Sequence, residues 1–363
     1  MRILFADLDR EWRGGQSQAL LTLRGLHERK VEVELVAARD SPLAMRGLES
    51  GIAVHAVARL GLRGWAAKAI QGLVARNRFD LVHLNEPHAL TAAWLAGAHK
   101  KLPLLLSRRI GFPLGKNWVS RARYEAVKRF VSNSKNVAQS LIDCGIAPDR
   151  ISIVNEGVEI PPLPSQDQRN ASRRQWGIQD RKFVFGCVGV FVPEKGQRHL
   201  IEALAIVRQS HPEARLLLAG DGECRTELVS LTKQLGQSEA VLFPGFVKDV
   251  AGVYDALDGF AFPSEFEGLG TALQAAMATG IPSISTDRGG LAEVVDHERT
   301  VLVAGPNGKE FAAAMLRLMS EDGLRKKLSE SGRREVQERF SATRMVESTI
   351  RVYEDVLKKW RTA

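Results

Sequence analysis

Two carboxylates, Glu265 and Glu267, stand directly before a turn that carries Gly268 and Gly270. They follow a short apolar segment, Gly259 to Phe262, which ends at Pro263 and reads as a buried strand. A run of Ala, Leu and Met suited to a helix comes next. Strand, glycine turn and helix N-terminus together make an anion site, because the first N–H groups of a helix lack partners and the dipole there favours negative charge. Glycine lets the backbone of Gly268, Leu269, Gly270 and Thr271 approach a ligand without interference from Cβ. A carboxylate would repel a phosphate that it touched, so Glu267 is suited instead to accepting hydrogen bonds from hydroxyls. Backbone amides for a diphosphate beside a carboxylate for hydroxyls describe a site for a nucleotide sugar. The plainer reading of the same residues is a capped helix behind a glycine turn.

The full stretch PSEFEGLGTALQAAMATGIPSISTDRGGLAEVV resembles the donor-site signature of the retaining glycosyltransferases of family 4, which have the GT-B fold. In that family a Glu is followed, after seven residues, by a second Glu that holds ribose hydroxyls. Here the first position is Glu267 and the second is Ala275, so the resemblance carries over the sugar-side carboxylate and lacks the ribose contact. The segment GVFVPEKGQRHLIEALAIV resembles the family's Gly, Arg, Leu and Glu-Lys-Gly pattern. Lys195 then occupies the position of the lysine on the donor phosphates, while Val190 stands where the family has arginine. Arg198 and Arg288 are the nearby candidates to supply the missing cation. The resemblance further implies that the turn at Phe246 and Val247 lies beside the nucleobase, and that Gly14 and Gly15 lie close to the donor phosphates. It covers nearly the whole chain and is strongest from Val184 to Val295.

The elements that position these residues alternate between strand and helix. Arg2 to Leu8, Val31 to Ala37, Ile52 to Val57 and Asp80 to Leu84 read as strands, with helices from Gly14 and Gly15 onward, over 41–51, 63–76 and from Ala89 to Ala98. Such alternation implies parallel sheets with right-handed crossovers, whose ligands bind beyond the carboxyl ends of the strands. That rule marks Asn85, Glu86 and His88 after the fourth strand. Family members carry a His in this loop near the reacting sugar carbon; its usual position falls on Asn85, and His88 is the candidate to take the role. His83, inside the strand, reads as packing. After Pro103 the stretch LLLSRRIGFPLG is a strand running into Arg108 and Arg109, whose guanidinium groups suit bidentate binding of a phosphate or carboxylate. The last residues place Val346, Ile350, Tyr353, Leu357 and Trp360 on one face of a helix.

Composition sets the outer bounds. The 363 residues are enough for two domains of ordinary size. Cys144, Cys187 and Cys224 are isolated, which points to a reducing compartment without a structural disulfide or zinc. No apolar run is long enough for a membrane span, and the N-terminus is unlike a signal peptide. The net charge of +9 is uneven, with a basic stretch between Lys100 and Arg150 that would attract anionic lipid or glycolipid. Nucleic acid is disfavoured, since no nucleic-acid motif or aromatic interleaving accompanies those charges. Asp7 and Asp9 form an Asp-x-Asp pair that reads as loop and cap chemistry instead of a metal site.

The expectation is an α/β protein of the GT-B class, with two Rossmann-like domains whose parallel sheets face each other across a cleft. Residues 1–165 would form the acceptor-side domain, 166–340 the nucleotide-sugar domain, and 341–363 a helix crossing back to the first, the linker being the Pro-rich stretch Pro161 to Gln168. The expected activity is retaining, metal-independent and cofactor-free transfer of a sugar from a nucleoside diphosphate sugar to a glycan or lipid-linked acceptor, in the cytoplasm at an anionic membrane surface, in cell-surface polysaccharide or lipopolysaccharide synthesis. The alternatives are a non-catalytic nucleotide-sugar-binding protein and a nucleotide-sugar epimerase of the same fold.

Overall fold

The computed structural model describes residues 1–76, 78–111, 114–115, 117–178 and 182–362, so Phe112 and Pro113 of the predicted strand-and-arginine stretch lie outside the described residues. The chain divides into two compact units, residues 1–157 with 342–363, and residues 158–341.

In the first unit the order is β1 (Arg2–Asp7), α1 (Gly14–Glu28), β2 (Glu32–Ala38), α2 (Pro42–Glu49), β3 (Ala53–Val57), α3 (Leu62–Arg76), β4 (Leu81–Leu84), α4 (Pro87–Leu95), β5 (Leu104–Arg108), α5 (Trp118–Glu125), β6 (Val127–Ser132), α6 (Lys135–Asp143) and β7 (Ile151–Ile153). All seven strands pair in parallel in the order β3-β2-β1-β4-β5-β6-β7. Side chains alternate across a strand, so β1 feeds two separate cores. Leu4 and Ala6 pack on one face with Ile70 and Leu90 from α3 and α4, and Ile3 and Phe5 pack on the other with Leu23 from α1.

In the second unit the order is α7 (Gln166–Gln175), β8 (Val184–Val188), α8 (Gln197–Val207), β9 (Arg215–Ala219), α9 (Arg225–Gln234), β10 (Val241–Gly245), α10 (Ala251–Asp255), β11 (Gly259–Phe262), α11 (Thr271–Ala278), β12 (Ser283–Ser285), β13 (Leu302–Val303), α12 (Gly308–Ser320) and α13 (Asp322–Arg339). Its six parallel strands run β10-β9-β8-β11-β12-β13. The final helix, α14 (Ala342–Arg361), belongs to the first unit: Met345, Val346 and Tyr353 are buried in the core that also holds Ile3 and Phe5.

Two details depart from the sequence reading. The chain leaves the first unit at Gly157, ahead of the Pro-rich stretch. Gly157 is held there by Gln18, whose amide donates to its carbonyl at 2.9 Å and accepts from its N–H at 3.1 Å. Val158 is already tied to the second unit, its N–H donating to the Phe340 carbonyl at 2.9 Å. The second departure is in IPSISTDRGGLAEVV, which by its sequence reads as another strand, glycine pair and helix, whereas at Gly289 and Gly290 only a 3-10 turn forms, Gly289–Glu293. Gly289 sits at φ +58°, in the left-handed region that an α-helix cannot contain, and the following bonds run from Leu291 N to Arg288 O and from Val294 N to Leu291 O.

Candidate functional site

Each sheet has one place where the chain reverses its direction of strand addition, and loops diverge there to leave a crevice. In the second sheet it lies between β8 and β11. The loop after β8 carries Lys195, and the loop after β11 carries Glu267, Gly268 and Gly270. The two loops are stitched by backbone: the Glu265 N–H donates to the Glu194 carbonyl at 2.8 Å. The Gly290 N–H donates to the Glu267 carbonyl at 2.9 Å, which fixes Glu267 from its other side. On this frame Lys195 Nζ donates to Glu267 Oε1 at 2.5 Å, with the two side chains 23% and 12% exposed. The two residues that sequence reading assigned to phosphate and sugar hydroxyls are therefore brought into contact.

The helices behind these loops begin in the same unusual way. Gly196 is the N-cap of α8 at φ +64°, Gly270 is the N-cap of α11 at φ +80°, and neither helix has a side chain bonded to its opening N–H groups. Ser, Thr, Asp or Asn would ordinarily fill that position and satisfy those donors. Two uncapped helix N-termini beside an ammonium group make a strongly anion-attracting corner. Beneath it, Cys187 in β8 is buried and its thiol is pushed up to about 12 by burial, so it stays protonated. The close approach of the loops is specific to glycine at Gly290, where an added Cβ would lie 1.9 Å from the Gly268 carbonyl oxygen.

The other donor-side candidates are more dispersed. Phe246 and Val247 follow β10 at the far edge of the sheet, Phe246 being 66% exposed. Val190 is exposed after β8, and Ala275 packs against the core from α11. Gly14 and Gly15 open α1 in the first unit, and a Cβ on either would meet nothing within 4 Å.

In the first sheet the reversal lies between β1 and β4. Asp7, at the end of β1, is buried, and its Oδ2 accepts from Asn85 Nδ2 at 2.5 Å and Gln16 Nε2 at 3.1 Å. Burial raises its pKa above the usual carboxylate value, against the lowering effect of those bonds. Glu86 is the N-cap of α4: Oε1 accepts from the Ala89 and Leu8 N–H groups, at 2.6 and 3.1 Å, and Oε2 accepts from the His88 N–H. Burial, then the neighbouring Asp7, pushes the Glu86 carboxyl up to about 7. His88 Nδ1 is 2.6 Å from Arg63 Nη2, so the ring accepts at Nδ1 and in its neutral form carries its proton on Nε2. Burial and then the Arg63 charge hold its pKa below the ordinary value.

Asn85, Glu86 and Arg109, which the sequence reading set on an acceptor or phosphate, are each bonded within the first unit. Arg109 Nε pairs with Glu156 Oε1 at 3.0 Å and Nη1 donates to the Asn85 carbonyl at 3.2 Å. Arg108 is half-buried at the end of β5. His83 is buried between the hydroxyls of Tyr353 and Ser107, at 2.5 and 2.7 Å, and burial holds it neutral with a pKa of about 3. Sequence reading missed a cluster of arginines, Arg10, Arg59 and Arg63, that collects at this end of the sheet with His88. The available signal was the spacing of Arg59 and Arg63 around Leu60, Gly61 and Leu62. Among the described residues no group of His, Cys, Asp or Glu converges as a metal site, and no helix is long and apolar enough to cross a membrane.

Comparison with known proteins gives the family and the fold. Residues 12–160 match the family model Glycosyltransferase Family 4, and residues 168–335 match Glycosyl transferases group 1. The chain is 30% identical over 311 residues to a D-inositol 3-phosphate glycosyltransferase of Salinispora arenicola, covering 77% of this chain and 69% of that protein. It is 29% identical over 230 residues to the uncharacterized glycosyltransferase MJ1607 of Methanocaldococcus jannaschii, covering 61% of this chain and 59% of that protein. The crystal structure of Anabaena Alr3699/HepE in complex with UDP and glucose superposes with a TM-score of 0.86 at 22% identity, over 98% of this chain and 99% of that one, a likeness of fold.

Proposed function

Since the chain belongs to the glycosyltransferases and has their GT-B fold, we propose that it moves a sugar from a nucleoside diphosphate sugar to an acceptor hydroxyl with retention of anomeric configuration. The observation that carries this reading is the Lys195–Glu267 pair between two uncapped helix N-termini. The diphosphate would lie against Lys195 and the opening N–H groups of α8 and α11, including the Gly268 to Thr271 backbone. These groups stabilise the charge that grows on the diphosphate as it departs with the bonding pair. Glu267, oriented by Lys195, would accept hydrogen bonds from sugar hydroxyls. The acceptor oxygen takes the vacated bond on the same face of the sugar and passes its proton to an oxygen of the departing diphosphate. His88, with its N–H on Nε2, is a donor suited to a sugar or acceptor oxygen on the first unit. Phe246 and Val247 would border the base. The reaction as proposed uses no metal and no cofactor.

The acceptor is proposed to be a glycan or lipid-linked glycan of cell-surface or lipopolysaccharide type, met at the cytoplasmic face of an anionic membrane. The excess of Lys and Arg between Lys100 and Arg150 supports this reading. A second reading, a nucleotide-sugar-binding protein without turnover, draws on the exposed Val190 and the core-packed Ala275 at positions where related enzymes carry Arg and Glu. A thermal-shift panel of UDP, GDP and ADP and their sugars, on wild type and Lys195→Ala, tests the site. Ligands that bind only the folded protein raise its Tm. One nucleotide series should stabilise wild type and lose most of that effect in the variant; no stabilisation by any series would remove the donor reading. Acceptor-dependent release of nucleotide then separates the transferase from the binding protein.

A further inference from the structure

The side chains that meet in the anion-attracting corner of the second unit bring no positive excess. Lys195 is paired with Glu267 at 2.5 Å. A second carboxylate, Glu265, lies in the same loop with Oε1 4.0 Å from His199 Nε2, and Cys187 below stays protonated. What remains is main chain, the uncapped N-termini of α8 and α11, each equivalent to roughly half a positive charge. A nucleoside diphosphate sugar brings an anionic charge on each phosphate, and its diphosphate gains another as the sugar departs. The corner is short of a cation.

Two arginines lie close to it in the chain, Arg198 and Arg288. Arg198, in the first turn of α8, is drawn away from the helix N-terminus, its Nε 3.6 Å from Glu202 and its Nη1 3.7 Å from Glu227. Arg288 is exposed, and among the described residues its guanidinium has neither an ion pair nor a hydrogen bond. Its backbone is nevertheless fixed on both sides to the loop that carries Glu267. Before it, the Thr286 N–H donates to the Phe262 carbonyl at 3.3 Å, and the Thr286 hydroxyl donates to the Ser264 carbonyl. After it, the Gly290 N–H donates to the Glu267 carbonyl at 2.9 Å, and a Cβ on Gly289 would lie 2.9 Å from the same oxygen. The two loops leave the carboxyl ends of neighbouring strands, since β11 and β12 pair in parallel with Phe262 opposite Ser285. An unbonded guanidinium on an anchored stem turns onto a ligand without breaking any contact.

We infer that the Arg288 guanidinium turns over this corner and pairs with the diphosphate of the donor, supplying the cation that Lys195, held by Glu267, does not. The inference rests on the transferase reading for the identity of the anion, and on charge and backbone geometry for the residue. A planar guanidinium offers parallel N–H groups to phosphate oxygens. Arg288 therefore binds the donor and also stabilises the charge that grows as the sugar–oxygen bond breaks and its electron pair passes to the diphosphate. Because the side chain has no partner before the ligand arrives, its removal leaves the unliganded fold unchanged.

Calorimetric titration of the full chain with UDP, GDP, ADP and inorganic pyrophosphate tests this. The proteins are wild type, Arg288→Gln, Arg288→Lys, Arg198→Gln and Lys195→Ala. Pyrophosphate and one nucleoside diphosphate should bind wild type, and bind Arg288→Gln roughly tenfold or more weakly, the size of a hydrogen bond to a charged group. Arg288→Lys should lose part of that affinity and Arg198→Gln none. The Tm without ligand should be the same in Arg288→Gln as in wild type, and the difference in affinity should shrink as salt is raised. Equal affinity in wild type and Arg288→Gln overturns the inference, as does a loss found in Arg198→Gln instead. A lower Tm of unliganded Arg288→Gln overturns it too and makes the residue structural. If a nucleotide binds and depends on Lys195 while Arg288→Gln binds it like wild type, the donor reading stands and the inference fails. If pyrophosphate requires Arg288 and no nucleotide binds, the donor reading fails and Arg288 keeps its place on the anion. No binding of any probe overturns both.

Discussion

The two sheets offer the same kind of crevice and finish it in opposite ways. Where the second sheet reverses, α11 begins at Gly270 without a side-chain cap, and α8 likewise begins at Gly196. Where the first sheet reverses, the N-terminus of α4 is closed by Glu86, which accepts from three N–H groups. A carboxylate on those donors removes the attraction of the backbone for an anion, so the positive charge of the first crevice comes from side chains, Arg10, Arg59 and Arg63 among its lining residues. The second crevice uses main chain and one lysine. Fold position alone therefore marks both crevices, and capping decides which of them presents backbone to a ligand.

The comparison divides the charged residues into frame and site, and the largest expected effect tests that division. Arg109→Met takes the Arg109 charge away from Glu156, 8% exposed, and should lower stability by about 3–5 kcal/mol. Chemical denaturation measures it, and Glu156→Gln in the same chain should recover part of the loss. The stabilisation by nucleotide should be unchanged in Arg109→Met. If that variant kept its stability and lost ligand response instead, Arg109 would have to move from frame to site.

Lys195→Ala should behave in the reverse sense, with kcat/KM down about 10²–10³-fold, the magnitude seen when one electrostatic donor to a transition state is removed. Because Glu267 then lacks its partner, Lys195→Ala/Glu267→Gln serves as the fold control. A rate within a fewfold of wild type would contradict the role given to the lysine.

The third test compares glycines at the two reversal points. Gly290→Ala puts a methyl group against the Gly268 carbonyl and should cost about 1–3 kcal/mol, the usual range for overpacking, with loss of nucleotide response as the loop moves. Gly14→Ala, with open space at Cβ in the first turn of α1, should change stability by no more than about 0.5–1 kcal/mol. Equal effects at the two positions would show that the first-unit turn is as tightly constrained as the loops around Glu267.

The last test is the pH dependence that Glu86 confers. Its folded pKa, about 7, lies above its ordinary value of 4.5, so the folded state holds the proton more tightly than the unfolded state. The resulting stabilisation is complete below pH 4.5 and is lost as pH rises through 7. Glu86→Gln lacks this term, and the Tm of wild type relative to the variant should fall between pH 5 and 8. A constant difference across that range would mean that Glu86 caps α4 as an ordinary ionised carboxylate.

Much of this was legible from the chain. The Gly259 to Phe262 strand, the glycines at 268 and 270 and the helix after them follow from local rules, apolar run, breaker and helix former, that act over a few residues. The alternation of Ile3 and Phe5 with Leu4 and Ala6 specifies a strand buried on both faces. The resemblance placed Lys195 and Glu267 in one site, and the structure puts them 2.5 Å apart. The Gly289 and Gly290 turn was misread because a glycine pair after a strand is compatible with either an α or a 3-10 continuation, and the backbone packing on Gly268 selects between them.

By itself, then, the order of residues settled what is periodic or local: strands and helices in alternation, the glycine turns, and the long amphipathic helix at the end of the chain. The tertiary structure alone decided which charges are committed. Arg109 meets Glu156, Tyr353 meets His83 across 270 positions, and Arg10 comes beside the 59–64 stretch that carries Arg59 and Arg63. Pairing of this kind depends on which strands become neighbours, and burial and ionisation follow from it, because desolvation acts on a group through all that surrounds it in space, whatever its distance along the chain.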